Sequence, residues 1–355
     1  MRPCLLLTGY LLAAPALARA DGPPATPPSA VIPQAAIQTA AGLPRLHSLL
    51  VSRGGELILE RYFHGARAAR PANIKSVSKS VLSALVGIAI GKGLLPGVQA
   101  PIAPFFPGLA GADPQKQRIT IEDLLTMRSG LESTSNRNYG AWVQSPDWVR
   151  FVLNRPLLYP PGVQMNYSTG NTHLLSAILT QASGSDTWKF AQDTLARPLG
   201  ITLPAWPRDP QGIYFGGNEM LMTPRQMLTF GELYLHRGRA NGRQVMPAAW
   251  VEASFVPRTR SPRNDRPYGY GWWMDDLAGR RIYYAWGFGG QYIFVAPDLD
   301  LVVVTTSSVA MGEGRRGHRS ALYDLVDRLV ISPLAAAAAT PLSGPVSRPA
   351  SRGPA

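Results

Sequence analysis

The sequence predicts an α+β fold, in which an antiparallel sheet is flanked by helices and a mostly helical lobe is inserted in the middle of the chain. Three observations predict it: a hairpin near the N-terminus, helical patterns through the centre, and strand-like runs followed by a helix near the C-terminus. Strands and helices that are segregated in this way are typical of α+β folds. Because strand-like runs occur near both chain ends, we expect the two ends to close one shared layer.

The elements follow in that order along the chain. Residues 46–63 read as two strands around the turn Arg53-Gly54-Gly55, which is a hairpin signal. The helical lobe is expected over roughly 95–265, and the sequence there shows helical patterns over 119–127, 145–154, 170–183, 186–196 and 223–237. The final strands and helix are expected at 281–284, 292–295, 301–305 and roughly 318–331.

The N-terminus reads as a secretory signal peptide of residues 1–20. Arg2 supplies the positive start, an apolar run covers 5–17, and Ala18-Arg19-Ala20 fits a cleavage site after about Ala20. We therefore expect a protein that is exported to a bacterial periplasm.

The rest of the chain divides into three parts. A flexible leader rich in Pro and Ala is expected over 21–44, and one large domain over 45–332. The stretch 333–355, made mostly of Ala, Pro, Ser and Gly, is expected to be a disordered tail.

Charge and composition exclude several functions. The formal charge of the 355-residue chain is +13, and it falls to +11 when Arg2 and Arg19 leave with the signal peptide. No basic run interleaved with aromatic residues indicates a nucleic-acid partner, so we interpret the charge as an arginine-rich surface. The single cysteine, Cys4, lies in the signal peptide, which leaves the mature chain without disulfides. The five scattered histidines show no metal-ligand spacing, so we predict neither a metal nor a cofactor.

Ser76-Val77-Ser78-Lys79 is the strongest chemical signal in the sequence. Residues at i and i+3 share a helix face, so the Lys79 amine is expected within hydrogen-bond reach of the Ser76 hydroxyl. A base beside a serine makes that serine a nucleophile. The chain has only five lysines against 30 arginines, and no other lysine has a serine three residues before it. The apolar run after Lys79 predicts a buried helix that is too short to span a membrane.

Three further segments are candidates for the same site. Tyr167 lies in Asn166-Tyr167-Ser168-Thr169, on a turn that leads into a helix. Ala285-Trp286-Gly287-Phe288 precedes an apolar strand, and its glycine would let backbone and substrate approach closely. Gly216-Gly217-Asn218 precedes a helix start at Thr223 and is a candidate for the rim of a cleft.

Together these segments resemble the serine β-lactamase and penicillin-recognising family, on the side of its class C enzymes, esterases and 6-aminohexanoate-dimer hydrolases. Ser76-Val77-Ser78-Lys79 is similar to the family's S-x-x-K, and residues 119–131 are similar to its I-T-I-x-x-L-L-T-x-x-S-G-L segment. Tyr167 falls at the tyrosine of Y-x-N, and Ala285-Trp286-Gly287 falls at the K-T-G or H-x-G triplet. The resemblance covers roughly 45–330 and implies a β-lactamase/DD-peptidase-like fold.

The resemblance also implies a mechanism. Ser76 would attack a carbonyl and form an acyl-enzyme, while Lys79 and Tyr167 share the proton transfers and the backbone N–H groups of Ser76 and Phe288 form the oxyanion hole. Two forms of the base remain open at this point. Either Lys79 is neutral through a lowered pKa, or Tyr167 is a phenolate beside a charged Lys79.

Two departures from the family pattern guide the expected substrate. Thr169 replaces the asparagine of Y-x-N, with Asn171 out of register, and Ala285 replaces the basic residue that starts the triplet. With Thr169, Ala285, Trp286 and Gly287 as the expected substrate-binding residues, an uncharged ester or linear amide is favoured over a penicillin. The alternatives are a β-lactamase or DD-peptidase that acts on cell-wall peptides, and an inactive module that binds envelope glycan or peptide. The oligomeric state stays open.

Overall fold

The computed structural model describes residues 32–109, 113–312 and 314–339. The predicted signal peptide, the first part of the leader and most of the predicted tail lie outside these residues. The helix that follows Ser76 is buried on almost every face, as its apolar sequence predicts. It lies in a fold made of one large sheet with helices against it.

The described residues form twelve strands, with the bounds β1 Leu46–Arg53, β2 Glu56–Tyr62, β3 Ala72–Asn73, β4 Leu221–Met222, β5 Arg239–Ala240, β6 Arg243–Gln244, β7 Thr259–Arg260, β8 Pro267–Tyr268, β9 Trp273–Leu277, β10 Arg280–Gly287, β11 Gln291–Ala296 and β12 Leu301–Ser307. Eight of these strands form a single antiparallel sheet in the order β2-β1-β12-β11-β10-β9-β8-β7. Strands β3 and β4 form a separate pair, as do β5 and β6.

Twelve α-helices accompany the strands in the described residues. Their bounds are α1 Gln34–Ala41, α2 Ser78–Gly91, α3 Pro114–Gln117, α4 Ile121–Leu125, α5 Tyr139–Val143, α6 Trp148–Leu153, α7 Thr169–Ser183, α8 Thr187–Ala191, α9 Pro224–Leu235, α10 Ala248–Ser254, α11 His318–Asp324 and α12 Ser332–Ala339. π-helical turns continue α8 through Gln192–Ala196 and connect α11 to α12 through Leu325–Ile331.

The predicted closure of the sheet by both chain ends is confirmed. Strand β1, from the N-terminal hairpin, pairs antiparallel with β12, so that Leu50 lies opposite Val304. The hairpin itself turns at Gly54 and Gly55, both with positive φ, as its sequence indicates. The α+β class and the antiparallel sheet with flanking helices are therefore as expected.

The leader and tail predictions need correction where the structure describes them. Residues 34–41 form α1 instead of a flexible leader, because Ala36 and Ala40 lie one turn apart and are buried where α1 packs against the Leu325–Ile331 segment. Residues 332–339 form α12 instead of a disordered tail. Alanine has the highest helix propensity, and Leu334 gives this alanine-rich segment a buried anchor.

The span expected for the helical lobe also needs correction, because α9 lies inside it yet packs on the sheet against β11 and β12. Gly231 permits that packing, since a Cβ added there would lie 2.6 Å from the Cγ1 atom of Val302. Helix α2 is held equally closely, and a Cβ on Gly87 would lie 2.3 Å from the Trp250 ring. The nucleophile candidate is thus at the start of a rigidly packed helix.

Candidate active site

Ser76 lies in a single 3-10 turn, Lys75–Val77, that leads directly into α2. Lys79 Nζ lies 3.1 Å from Ser76 Oγ, which is the hydrogen-bond reach expected from the S-x-x-K spacing. The turn is aligned by two contacts: the Ile74 amide donates to the Met220 carbonyl, and the Ser78 hydroxyl donates to the Lys75 carbonyl. The serine–lysine pair is therefore preformed.

Lys79 is buried, with only 2% of the residue exposed. Its Nζ donates to the Gly217 carbonyl oxygen at 2.7 Å and to Thr169 Oγ1 at 3.2 Å. Among the residues that the structure describes, no carboxylate forms a salt bridge with it. Burial disfavours the charged form and lowers the pKa of Lys79 to about 7. A substantial neutral fraction therefore exists at neutral pH.

Tyr167 lies beside this pair. Its ring centroid is 5.1 Å from Lys79 Nζ, and the ring stacks on Trp273 at a centroid distance of 6.0 Å. Burial raises the pKa of Tyr167 well above its usual value, and a side-chain hydrogen bond with Ser76 opposes that shift only in part. The phenol is therefore protonated at neutral pH, which favours the neutral-lysine form of the two that the sequence left open.

Thr169 begins α7 and borders the same cavity. Besides accepting from Lys79, its Oγ1 lies 2.9 Å from the Ser135 hydroxyl oxygen. Asn171, the amide that is out of register, is fully buried with its Oδ1 accepting from Ser129, and it does not line the cavity. Thr169, and not Asn171, thus lines the cavity beside Tyr167, and its Oγ1 contacts Lys79.

The triplet on β10 corrects two of the expected substrate contacts. Successive side chains of a strand point to opposite faces. Trp286 and Tyr284 line the cavity, whereas Ala285 between them is fully buried in the core and does not reach the cavity. Ala285 is therefore not a substrate contact.

Gly287 does not line the cavity either. A Cβ at Gly287 would lie 2.3 Å from the Ile74 carbonyl oxygen, so the glycine serves close approach between β10 and the turn that carries Ser76. Phe288 comes next in the chain and lines the cavity together with Ser76. Packing at Gly287 thus brings the residues of both expected oxyanion N–H donors to one cavity.

The cavity has a volume of about 1190 Å³ and is lined by both polar and apolar side chains. Three of its apolar lining residues are exposed to solvent: Leu158, Phe288 and Met311. Two arginines stack on its aromatic wall: the Arg319 guanidinium lies 4.7 Å from the Trp286 ring centroid, and that of Arg315 lies 5.7 Å from the Phe288 ring centroid. Arg319 also lines the cavity. A cation is therefore present there, although Ala285 replaces the basic residue that starts the family's triplet.

The sequence indicated Gly217 only as a candidate for the rim of a cleft and did not indicate its contact with Lys79. The Gly217 carbonyl accepts from Lys79, and a Cβ on Gly217 would lie 3.2 Å from Lys79 Nζ. The sequence also did not indicate the ion pair of Lys75 with Glu219, two residues that line the cavity. No sequence pattern indicates either contact, because each joins positions more than 130 residues apart.

The described residues contain no group of three or more His, Cys, Asp or Glu side chains placed to hold a metal ion. None of their helices is both long and apolar enough to cross a membrane.

Comparison with known proteins agrees with this geometry. The family model described as Beta-lactamase matches residues 36–327, which is most of the chain. The chain belongs to the beta-lactamase family. It is therefore a serine hydrolase of the beta-lactamase fold, and Ser76, Lys79 and Tyr167 lie within the matched region.

This beta-lactamase family member is similar in sequence or structure to several hydrolases. It is 27% identical over 350 residues to the 6-aminohexanoate-dimer hydrolase of Paenarthrobacter ureafaciens, a match that covers 87% of this chain and 86% of that protein. The class C beta-lactamase of Rhodobacter sphaeroides superposes with a TM-score of 0.62 at 18% identity, covering 83% of this chain and 98% of that one. EstCE1, a hydrolase with promiscuous acyltransferase activity, superposes with a TM-score of 0.64 at 18% identity, covering 82% and 97%.

Proposed function

We propose that this protein is an exported serine hydrolase that cleaves an ester or a linear amide through an acyl-enzyme on Ser76. The observation that carries the proposal is the 3.1 Å contact of Ser76 Oγ with a buried lysine whose pKa is about 7. A general base is most effective when its pKa lies near the operating pH. Lys79 meets that condition without a histidine.

The hydrogen bonds of a neutral Lys79 support this role. A neutral amine has two N–H groups and one lone pair, and the Gly217 carbonyl and Thr169 Oγ1 accept the two N–H groups. The lone pair is then left for the hydroxyl proton of Ser76. Both N–H groups and the lone pair of the amine thus have a partner, and the proposal assigns the lone pair to the Ser76 hydroxyl.

Proton transfers balance over the two half-reactions. In acylation the Ser76 proton passes to Lys79, Oγ bonds to the substrate carbonyl carbon, and the Tyr167 phenol protonates the leaving alcohol or amine. In deacylation the Tyr167 phenolate takes a proton from the attacking water, and charged Lys79 returns its proton to Ser76 Oγ as the acyl bond breaks. The transient phenolate is stabilised by the Lys79 ammonium, which lies 5.1 Å from the ring centroid.

The carbonyl oxygen of the substrate would be held by the backbone N–H groups of Ser76 and Phe288. Support comes from the close contact of Gly287 with the Ile74 carbonyl, which brings the end of β10 to the nucleophile turn. Loss of one such donor typically costs about 10² to 10³ in rate.

The apolar part of the cavity wall supports an acyl or alkyl chain as one part of the substrate. Trp286, Phe288, Met311 and Leu158 offer apolar surface in the cavity that Ser76 lines, and exposed apolar surface commonly marks binding sites. The related hydrolase of Paenarthrobacter ureafaciens is named for the substrate 6-aminohexanoate dimer. Both observations favour an ester or linear amide over a bicyclic β-lactam.

Export rests on the sequence of residues 1–20, with its positive start, apolar run and small-residue cleavage site. Expression of the full chain in a bacterial host, followed by N-terminal sequencing of the periplasmic fraction, is expected to give a mature chain that starts at about Asp21. Recovery of uncleaved protein from the cytoplasm alone would contradict export.

Two probes test the hydrolase proposal. Wild type is expected to be labelled by a fluorophosphonate and to hydrolyse p-nitrophenyl butyrate, and Ser76→Ala is expected to lose both. Absence of labelling and of ester and linear-amide hydrolysis would favour a binding module instead. Fast turnover of a fluorescent penicillin, with poor ester hydrolysis, would favour a β-lactamase.

A further inference from the structure

Two non-glycine residues beside the active site have left-handed backbone. Lys75 has a φ of 51° and Glu219 has a φ of 66°. Such conformations are disfavoured for residues with a Cβ and persist where the surroundings hold them. Lys75 directly precedes Ser76, and Glu219 lies two residues after Gly217, so both flank atoms that contact Lys79.

These two residues are joined by a closed ring of polar contacts. Lys75 Nζ lies 2.7 Å from Glu219 Oε1, and Asn73 Nδ2 donates to Glu219 Oε2 at 2.5 Å. The Lys75 amide in turn donates to Asn73 Oδ1 at 3.1 Å. Each member of the ring therefore contacts both others.

The ring links the two chain segments that Lys79 requires. One segment supplies Ser76 Oγ, and the other supplies the Gly217 carbonyl that accepts from Lys79 Nζ. Pairing of β3 with β4 brings these segments together, with Asn73 opposite Leu221. The side chains of the ring then hold the backbone at Lys75, next to Ser76, and at Glu219, two residues after Gly217.

We propose that the Lys75–Glu219 ion pair is a positioning device that holds Ser76 and the Gly217 carbonyl at their working distances from Lys79. Lys75 and Glu219 are positioning residues, since they act through Ser76 and Gly217. The proposal rests on the proposed hydrolase function for its kinetic test.

Fold stability alone does not account for the pair. A partly exposed ion pair contributes little to stability, and the two side chains are 20% and 27% exposed. Glycine would adopt both φ values without strain. A positioning role at the site explains why Lys75 and Glu219, rather than glycines, have these conformations.

Lys75→Met and Glu219→Gln each remove the ion pair. We expect kcat on p-nitrophenyl butyrate to fall about 10- to 100-fold with KM within about threefold, because a misplacement of about 1 Å costs rates of that order. Lys75→Gly also removes the backbone strain, so its melting temperature is expected to equal or exceed that of wild type while kcat falls. The double variant Lys75→Glu/Glu219→Lys is expected to have a kcat at least tenfold higher than that of the less active of the two single variants.

Lys189→Met is the matched control, because Lys189 of α8 forms a surface ion pair with Asp193 of the π-helical turn that follows. Its kcat is expected to match that of wild type. A rise in KM with unchanged kcat in Lys75→Met would make the pair a substrate contact and overturn the proposal. A fall in melting temperature that accounts for the lost activity would make it purely structural, with the same consequence.

Crystal structures of Lys75→Gly and Glu219→Gln test the proposal without any substrate. The distance from Lys79 Nζ to Ser76 Oγ or to the Gly217 carbonyl is expected to lengthen beyond 3.5 Å in at least one of them. Unchanged distances in both variants would overturn the positioning role whether or not the protein hydrolyses esters. Inactivity of wild type, by contrast, would count only against the proposed function.

Discussion

Two lysines four residues apart flank the same serine, and they lie in opposite electrostatic environments. Lys75 is at the cavity wall, one-fifth exposed, and its ammonium is neutralised by Glu219. Lys79 is buried, and the hydrogen-bonding contacts of its amine are with neutral oxygens, those of Ser76, Thr169 and Gly217. A counter-ion stabilises a charged lysine, whereas burial without one favours the neutral amine. Surroundings, more than residue type, therefore determine which lysine can act as a base.

The largest expected effect separates the two lysines directly. Lys79→Arg is expected to lower kcat/KM on p-nitrophenyl butyrate by about 10³ or more, because a guanidinium cannot lose its proton in a protein. Steady-state kinetics and the rate of fluorophosphonate labelling would both measure it. A variant with near-normal rates would show that Lys79 has only a structural role.

Gly217→Ala tests how far the environment of Lys79 depends on the Gly217 loop. The new Cβ would lie 2.1 Å from Thr172 Oγ1 and 3.2 Å from Lys79 Nζ, so the loop must move and the acceptor carbonyl moves with it. We expect kcat to fall about 10²-fold. Gly108→Ala is the control, since nothing lies within 4 Å of its added Cβ. Equal activity of the two variants would contradict the role of the Gly217 carbonyl.

Thr169→Val removes one of the two acceptors of the neutral amine while preserving the shape of the side chain. We expect kcat to fall about tenfold, or ~1.4 kcal/mol in the activation free energy, because Lys79 loses the contact to Thr169 Oγ1. Thr169→Ser keeps the hydroxyl and is expected to remain within about threefold of wild type. Equal losses in both variants would assign the effect to packing of the methyl group.

The smallest effect is expected at the paired lysine. Lys75→Arg keeps a cation opposite Glu219, and a guanidinium binds a carboxylate well, so we expect kcat within about threefold of wild type. The same substitution is thus tolerated at residue 75 and not at residue 79. A loss at Lys75→Arg as large as that of Lys79→Arg would contradict the distinction between them.

Local sequence patterns predicted the contacts that are close in the chain. The Ser76–Lys79 contact follows from one helical turn, and the hairpin follows from Arg53-Gly54-Gly55. Tyr167 and Phe288 were placed by resemblance to the family's ordered motifs, and the structure brings both to the cavity with Ser76.

Contacts that depend on register or on distant pairing were not predictable. The sequence gives the alternation of β10 but not which face meets the cavity, so Ala285 and Gly287 were wrongly expected at the substrate. The Lys75–Glu219 pair joins residues 144 positions apart and has no local signal. Helices α1 and α12 were mistaken for flexible segments, because their helical state depends on tertiary burial of a few alanines and Leu334.

The pH dependence of single-turnover acylation tests most directly the claim that Lys79 is the neutral base. Its pKa of about 7 implies that the neutral fraction is about one-tenth at pH 6 and about nine-tenths at pH 8. The acylation rate with p-nitrophenyl butyrate is therefore expected to rise with an apparent pKa near 7 and then to level off. A rate that is flat from pH 5.5 to 9, or that rises only above about pH 9, would contradict the account.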